Sequence, residues 1–164
     1  GSIRTAWPTL ENLVERMELD PALRDSVARL RAAGWEIIVA SAGCDWYIRR
    51  LLAKAGVDLK IHANPGVFAP ETGLALSLPV DSPYFRRETG IDKAAIVRAA
   101  LARDPQAVFA GDGRPDLAPA GLVRPGRRFA TGWLAQHLKK NGDFYRPFTS
   151  WSQIAEALLE EKPC

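Results

Sequence analysis

Cysteine is nearly absent from this chain: only Cys44 and Cys164 occur, the second as the last residue. Neither has metal-ligand spacing, and no disulfide framework of the kind that staples secreted domains is expected. No apolar run approaches the ~18 residues a membrane helix needs, and no basic start, apolar stretch and small-residue cleavage site marks a signal peptide. The expected compartment is therefore the cytoplasm, with no membrane partner. Methionine is almost missing too. Met17 is the single one, and the chain opens on Gly1-Ser2, so its N-terminus is expected to be non-native, an added scar or a cut from a longer protein. The two histidines, His62 and His137, lack a partnered nucleophile or metal spacing, and surface or structural roles are expected for them. Basic residues are scattered, and no aromatic-plus-basic RNA motif occurs, so no nucleic-acid partner is expected.

What is present is ordinary for a globular protein. The 164 residues are 47% apolar and 25% charged, enough for one domain with its own core. A net charge of +3 suits an anionic ligand without demanding one.

Along the chain, helical and buried-strand patterns alternate. Residues 5–18 read as a helix with Leu10, Leu13, Val14 and Met17 on one face and Pro8 in its first turn. Asp20 and Pro21 read as cap and first residue of a second helix, with Leu23, Val27 and Leu30 at helical spacing and Gly34 closing it. Glu36 to Ala40 is a continuous β-rich run, as in a strand buried on both faces of a parallel sheet. It ends in Ser41-Ala42-Gly43, and Asp45 reads as the cap of a helix that ends at Gly56. Residues 60–64 read as a short strand, 66–78 as a hairpin turning at Pro70-Glu71-Thr72-Gly73, and 79–90 as loop. A helix over 92–101, a short strand Ala107–Ala110 running into Gly111-Asp112-Gly113, and a helical turn at 116–120 follow. One or two short strands within 121–130 and helices over 132–140 and 150–161 complete the chain, the last with Ile154, Ala157 and Leu158 inward. This alternation predicts a single α/β layer fold with a largely parallel sheet.

In such folds ligands bind beyond the carboxyl ends of the strands. Two strand ends carry small polar residues here: Ser41 with Ala42 and Gly43, and Gly111-Asp112-Gly113 with Asp116 close behind. Lys93 starts a helix between them. One hydroxyl, one ammonium and two carboxylates at one edge suit phosphoryl transfer, whose transition state spreads charge over equatorial oxygens that need fixed donors and cations. Ser41 and the following backbone amides can hold phosphate oxygens, Lys93 can supply a point charge, and Asp112 can bind a hard cation such as Mg²⁺.

Ile-Val-Ala-Ser41-Ala-Gly, Lys93 in Gly-Ile-Asp-Lys, and Ala-Gly111-Asp112-Gly113-Arg-Pro-Asp116-Leu resemble, in order and spacing, the second, third and fourth motifs of haloacid dehalogenase-type phosphatases. The stretch is similar to the phosphoserine phosphatase-like branch, including the diketo-methylthiopentane phosphate phosphatases of methionine salvage, over roughly residues 20–160. The resemblance implies a Rossmann-like three-layer sandwich, a small phosphorylated substrate, Mg²⁺, and a reaction through an aspartyl-phosphate. By it Ser41, with Ala42 and Gly43, binds phosphate; Lys93 orients the nucleophile; Asp112 ligates Mg²⁺; and Asp116 is an auxiliary carboxylate near the metal or Lys93. Asn64 is expected to face the site, as an Asn at this place does in the resembling branch, or to lie in a surface turn. Cys44 reads as a small buried residue rather than a nucleophile. Trp46 is a candidate for the substrate entrance. For Arg114, Arg127 and Arg128 a solvated face is expected ahead of substrate steering.

The family's nucleophile and its general acid–base sit in an Asp-x-Asp motif at the end of its first strand. No Asp-x-Asp occurs in these 164 residues. Residues 1–19 read as the remnant of a helical cap and 20–164 as the core domain, lacking the first strand and most of the cap. That strand lies, in the family, between those matching 36–40 and 107–110. An upstream segment, or another strand in its place, is therefore expected, and the 164 residues alone are expected to be inactive. The alternative is an inactive phosphate-binding or regulatory relative; a phosphotransferase or a dehalogenase of the same fold is a weaker third reading.

Overall fold

The computed structural model describes residues 2–3, 7–69 and 73–161, with side chains from residue 10 onward except residue 11. The expected hairpin turn at residues 70–72 and Cys164 lie outside the described residues. In chain order the elements are β1 (Ser2–Ile3), α1 (Trp7–Arg16), α2 (Leu23–Ala32), β2 (Ile38–Cys44), α3 (Asp45–Lys54), β3 (Lys60–Asn64), β4 (Gly66–Ala69) and β5 (Gly73–Leu76). There follow β6 (Phe85–Arg86), β7 (Gly90–Ile91), α4 (Lys93–Arg103), β8 (Phe109–Gly111), α5 (Leu117–Leu122), β9 (Arg128–Ala130), α6 (Gly132–Asn141), β10 (Arg146–Pro147) and α7 (Trp151–Glu160). Short 3-10 turns occupy Arg114–Asp116 and Pro125–Arg127.

The layers follow from strand alternation. Phe109 and Ala130 turn to one face, where they meet Val97 of α4, Ala120 of α5, and Leu134 and Leu138 of α6. Ala110 and Phe129, their chain neighbours, turn to the other, against Leu30 of α2 and Ile154, Ala155 and Leu158 of α7. Val39 and Ile61 join this second face through Val27 of α2 and Leu52 of α3, and both clusters there share Ile37 and Trp151. The result is a three-layer α/β sandwich of Rossmann-like form.

The middle layer is split. β2 and β3 pair in parallel, β8, β9 and β10 pair in parallel, and among the described residues no strand joins the two sets. This accounts for one correction: the strand read as buried on both faces is only half-buried from Ile38 through Gly43, because an edge that would be covered by a neighbour is open. The helical layer bridges the split through Ile37 and Trp151.

Other expectations shift locally. Ser41-Ala42-Gly43 does not follow the strand but lies within it: Ala40 pairs with His62 and Cys44 with Asn64, so residues 41–43 bulge out opposite Ala63. Asp20 does not cap α2 directly. One oxygen takes the Ala22 amide at 2.9 Å and the other the Ser152 amide at 2.7 Å, stapling the start of α2 to the start of α7. Pro21 therefore lies in the turn before the helix. Asp45 is the first helical residue rather than the cap, and its free oxygen accepts from the Gly66 amide at 2.9 Å. Of the expected face of α1, Leu10 and Val14 are buried, while Leu13 and Met17 are about half exposed, at 52% and 47%. In α7 it is Ala155, not Ala157, that is fully buried beside Ile154. The loop over 79–90 contains the β6–β7 ribbon, closed by the Asp92 amide donating to the Tyr84 carbonyl at 2.8 Å. The 66–78 segment is the β4–β5 hairpin, in the register Gly66 opposite Leu76.

No helix among the described residues is long and apolar enough to cross a membrane.

Candidate functional site

Asp92 caps α4 by accepting from the Ala95 amide at 3.0 Å, and this sets Lys93 as the first helical residue. Its Nζ lies 2.7 Å from Oδ1 of Asp116. Asp116 is 3% exposed and sits where the 3-10 turn after β8 hands over to α5. Its Oδ2 accepts from the amides of Asp112 and Gly113, both at 3.0 Å. Burial works to raise the Asp116 pKa, but the Lys93 hydrogen bond, the two amides and the Lys93 charge together outweigh it, so the carboxyl is held below the ordinary aspartate value. One buried anion thus fixes both the ammonium and the loop.

Close packing at the loop depends on glycine. A Cβ on Gly111 would come within 2.7 Å of Asp116 Cβ and Cγ. The carbonyls of the loop face the other way: Gly111 accepts from Thr131 N at 3.1 Å and Asp112 from Leu134 N at 3.0 Å, so the start of α6 is docked on the loop. Thr131 to Leu134 thus support the site, a role the sequence signals only through a Thr-Gly pair after a short strand.

Asp112 itself is exposed, and among the described residues its carboxylate has no side-chain partner. No three His, Cys, Asp or Glu side chains gather as a metal cage among those residues. A single exposed carboxylate does fit Mg²⁺, which keeps several waters and takes its other oxygens from substrate phosphate. Asp116 does not offer a free oxygen: of the two places expected for it, its contacts match the one beside Lys93.

On the other strand end, Ser41 Oγ accepts from the Gly43 amide at 3.0 Å. The Ala42 carbonyl accepts from Asn64 Nδ2 at 2.7 Å. Asn64 is buried, not in a surface turn, and its Nδ2 also lies 3.3 Å from the Thr89 carbonyl. Among the described residues Ser41 reaches neither Lys93 nor Asp112 by a direct hydrogen bond. The two halves are joined instead through Asn64, the segment Thr89 to Asp92, and the packing of α4 against β2.

Several expected residues stand apart. Cys44 is buried against Leu10 and Leu74. Trp46 stacks on Phe68 with ring centroids 6.5 Å apart and packs on that same cluster. His62 meets Tyr84 edge-on, and burial followed by the nearby Lys60 charge lowers its pKa. His137 stacks on Trp133 and bonds Asn141. Arg114 is exposed over the Trp133 ring; Arg127 binds Glu161; Arg128 is buried, not solvated, its Nε donating to the Ala120 carbonyl at 2.7 Å. A cavity of about 670 Å³ lies between α1 and α3, lined by Val14, Glu15, Arg50, Ala53 and Lys54. It contains none of the polar groups gathered at the strand ends.

Comparison with known proteins gives the family and the fold. The family profile of haloacid dehalogenase-like hydrolases matches residues 2–120. A phosphoserine phosphatase from Albidiferax ferrireducens is 28% identical over 107 residues, which cover 63% of this chain and 44% of that protein. The crystal structure of a probable phosphoserine phosphatase from Vibrio cholerae, in its unliganded form, superposes with a TM-score of 0.60 at 20% identity, covering 97% of this chain and 49% of that one. The last likeness speaks to the fold alone. The chain spans less than half the length of these two proteins.

Proposed function

Because this chain belongs to the haloacid dehalogenase-like hydrolase family, we propose that it carries the phosphate- and magnesium-binding part of a cytoplasmic phosphomonoester hydrolase for a small phosphorylated substrate. The observation that carries this reading is the Lys93–Asp116 clasp on the Asp112–Gly113 loop. It sets a fixed cation beside a free carboxylate able to hold a second one, and an equatorial phosphoryl charge requires such cations.

In this reading Ser41 and the Gly43 amide hold phosphate oxygens. Lys93 neutralises charge on the phosphoryl group and orients the nucleophile, while Asp116 holds Lys93 in place. Asp112 holds Mg²⁺, which supplies further charge neutralisation. The nucleophile is an aspartate on a strand that fills the split between β2 and β8, delivered by a segment outside these 164 residues. A split flanked on both sides by parallel strands supports this placement. We read α1, with its exposed Leu13 and the exposed Met17 just after it, as the tail of a helical cap.

A second reading is favoured by one sequence observation, the lack of any Asp-x-Asp: a relative that binds phosphate compounds without turning them over. One assay separates the two. Protein carrying a strand ending in Asp-x-Asp upstream of Gly1 should release phosphate from an aryl phosphate only with Mg²⁺, and Asp112→Asn should abolish release. Phosphate binding without release would support the second reading, and neither binding nor release would overturn both.

A further inference from the structure

Asn64 makes an uneven use of its amide. Both donor bonds of Nδ2 go to backbone carbonyls, Ala42 at 2.7 Å and Thr89 at 3.3 Å. Its Oδ1 is buried and, among the described residues, has no hydrogen-bond partner. Two carbonyls facing one side-chain nitrogen fix which end of the amide is which, since the reverse orientation would set oxygen against oxygen. Burying an acceptor unpaired is costly, so what the fold retains at this position is the donor pair.

Those two carbonyls belong to the two halves of the site. Ala42 lies in the bulge between Ser41 and Gly43. Thr89 opens the segment that runs through Gly90, Ile91 and Asp92 to Lys93. In a trans peptide the carbonyl and the following N–H point in opposite directions. Anchoring the Ala42 carbonyl on Asn64 therefore turns the Gly43 amide the other way, where it lies 3.0 Å from Ser41 Oγ. Gly90 is shaped to this contact: with φ +75 it takes a backbone conformation suited to glycine, and a Cβ there would stand 1.8 Å from Asn64 Oδ1.

We propose that Asn64 is a positioning residue rather than a substrate ligand: it aims the Gly43 amide at the phosphate position and ties that loop to the segment leading into Lys93. This rests on the phosphate-site reading above, but its geometric core does not.

The test uses ¹⁵N-labelled protein, wild type beside Asn64→Leu and Gly90→Ala, with inorganic phosphate as the probe. Both variants should move the Gly43 amide resonance before phosphate is added, while the Asp112 and Gly113 amides, held by Asp116, stay in place. Phosphate affinity should fall by about ten-fold, the scale of a misdirected hydrogen bond. In Asn64→Leu with Ser41→Ala, the Ser41 loss should be smaller than in wild type, because both act through one loop. Unmoved Gly43 resonances, or additive losses, would overturn the proposal. If the wild type takes up no phosphate, the functional reading fails, and the phosphate-free Gly43 resonance alone decides: moved supports the positioning role, unmoved overturns it. Where Leu prevents folding, Asn64→Ala is read in the same way.

Discussion

Asp116 binds Lys93 with one carboxylate oxygen and the amides of Asp112 and Gly113 with the other. The side chains of the pair are 15% and 4% exposed, so neither partner has water to fall back on. Removing the anion leaves a nearly buried ammonium uncompensated. Asp116→Ala should therefore destabilise the fold by about 3 kcal/mol, the scale of a broken buried pair, read as a lowered urea midpoint. Asp112→Asn, at an exposed carboxylate, should stay within about 0.5 kcal/mol of wild type while losing Mg²⁺ binding in calorimetry. Equal effects of the two changes on stability would contradict the division of roles between them.

Gly111→Ala should act through the same anion. Its Cβ would press within 2.7 Å of Asp116, and overpacking of this kind costs about 1–3 kcal/mol. The urea midpoint should fall, and the Asp112 and Gly113 amide resonances should shift as their acceptor is displaced. An unchanged spectrum would show that the loop is not held by Asp116.

These roles were partly legible beforehand. The apolar runs before each strand end and the start of α4 at Lys93 located the strands and the layers, because buried strands and helix starts leave strong local signals. The bulge at 41–43 was not legible, since it is defined by pairing with β3 rather than by its own residues. Nor was the staple from Asp20 to Ser152, which joins residues 132 positions apart. Asp116 as a clasp was half legible: its place beside Asp112 could be read, but which of its neighbours it binds depends on how β8 turns into α5. Leu13 and Met17 look like core by spacing and are exposed here, because periodicity names an apolar face without saying what covers it.

His62 gives a pH dependence. Burial, with Lys60 nearby, lowers its pKa in the folded chain. The unfolded chain then binds the proton more readily, so stability is present in full above the ordinary histidine value of about 6.5 and falls as pH drops below it. Urea midpoints measured from pH 8 to pH 5 should decline on the acid side. His62→Phe, which keeps a ring against Tyr84 without titrating, should reduce that decline. The same decline in both proteins would assign it to other groups.

Among the described residues β2 pairs only with β3 and β8 only with β9, which leaves backbone groups on their other edges without strand partners. Hydrogen exchange should find amides on the inner edges of Ile38–Ala40 and Phe109–Gly111 exchanging faster than those bonded to β3 and β9. With a strand ending in Asp-x-Asp supplied upstream, the same amides should become protected. Protection already complete in the 164-residue chain would mean that the edges are covered by something else.

The most direct measurement is the anomalous density of crystals soaked in tungstate, a heavy-atom mimic of phosphate. The expected peak lies within hydrogen-bond distance of Ser41 Oγ, the Gly43 amide and Lys93 Nζ together. A peak elsewhere, or none at these three donors, would contradict a phosphate site at the joined strand ends.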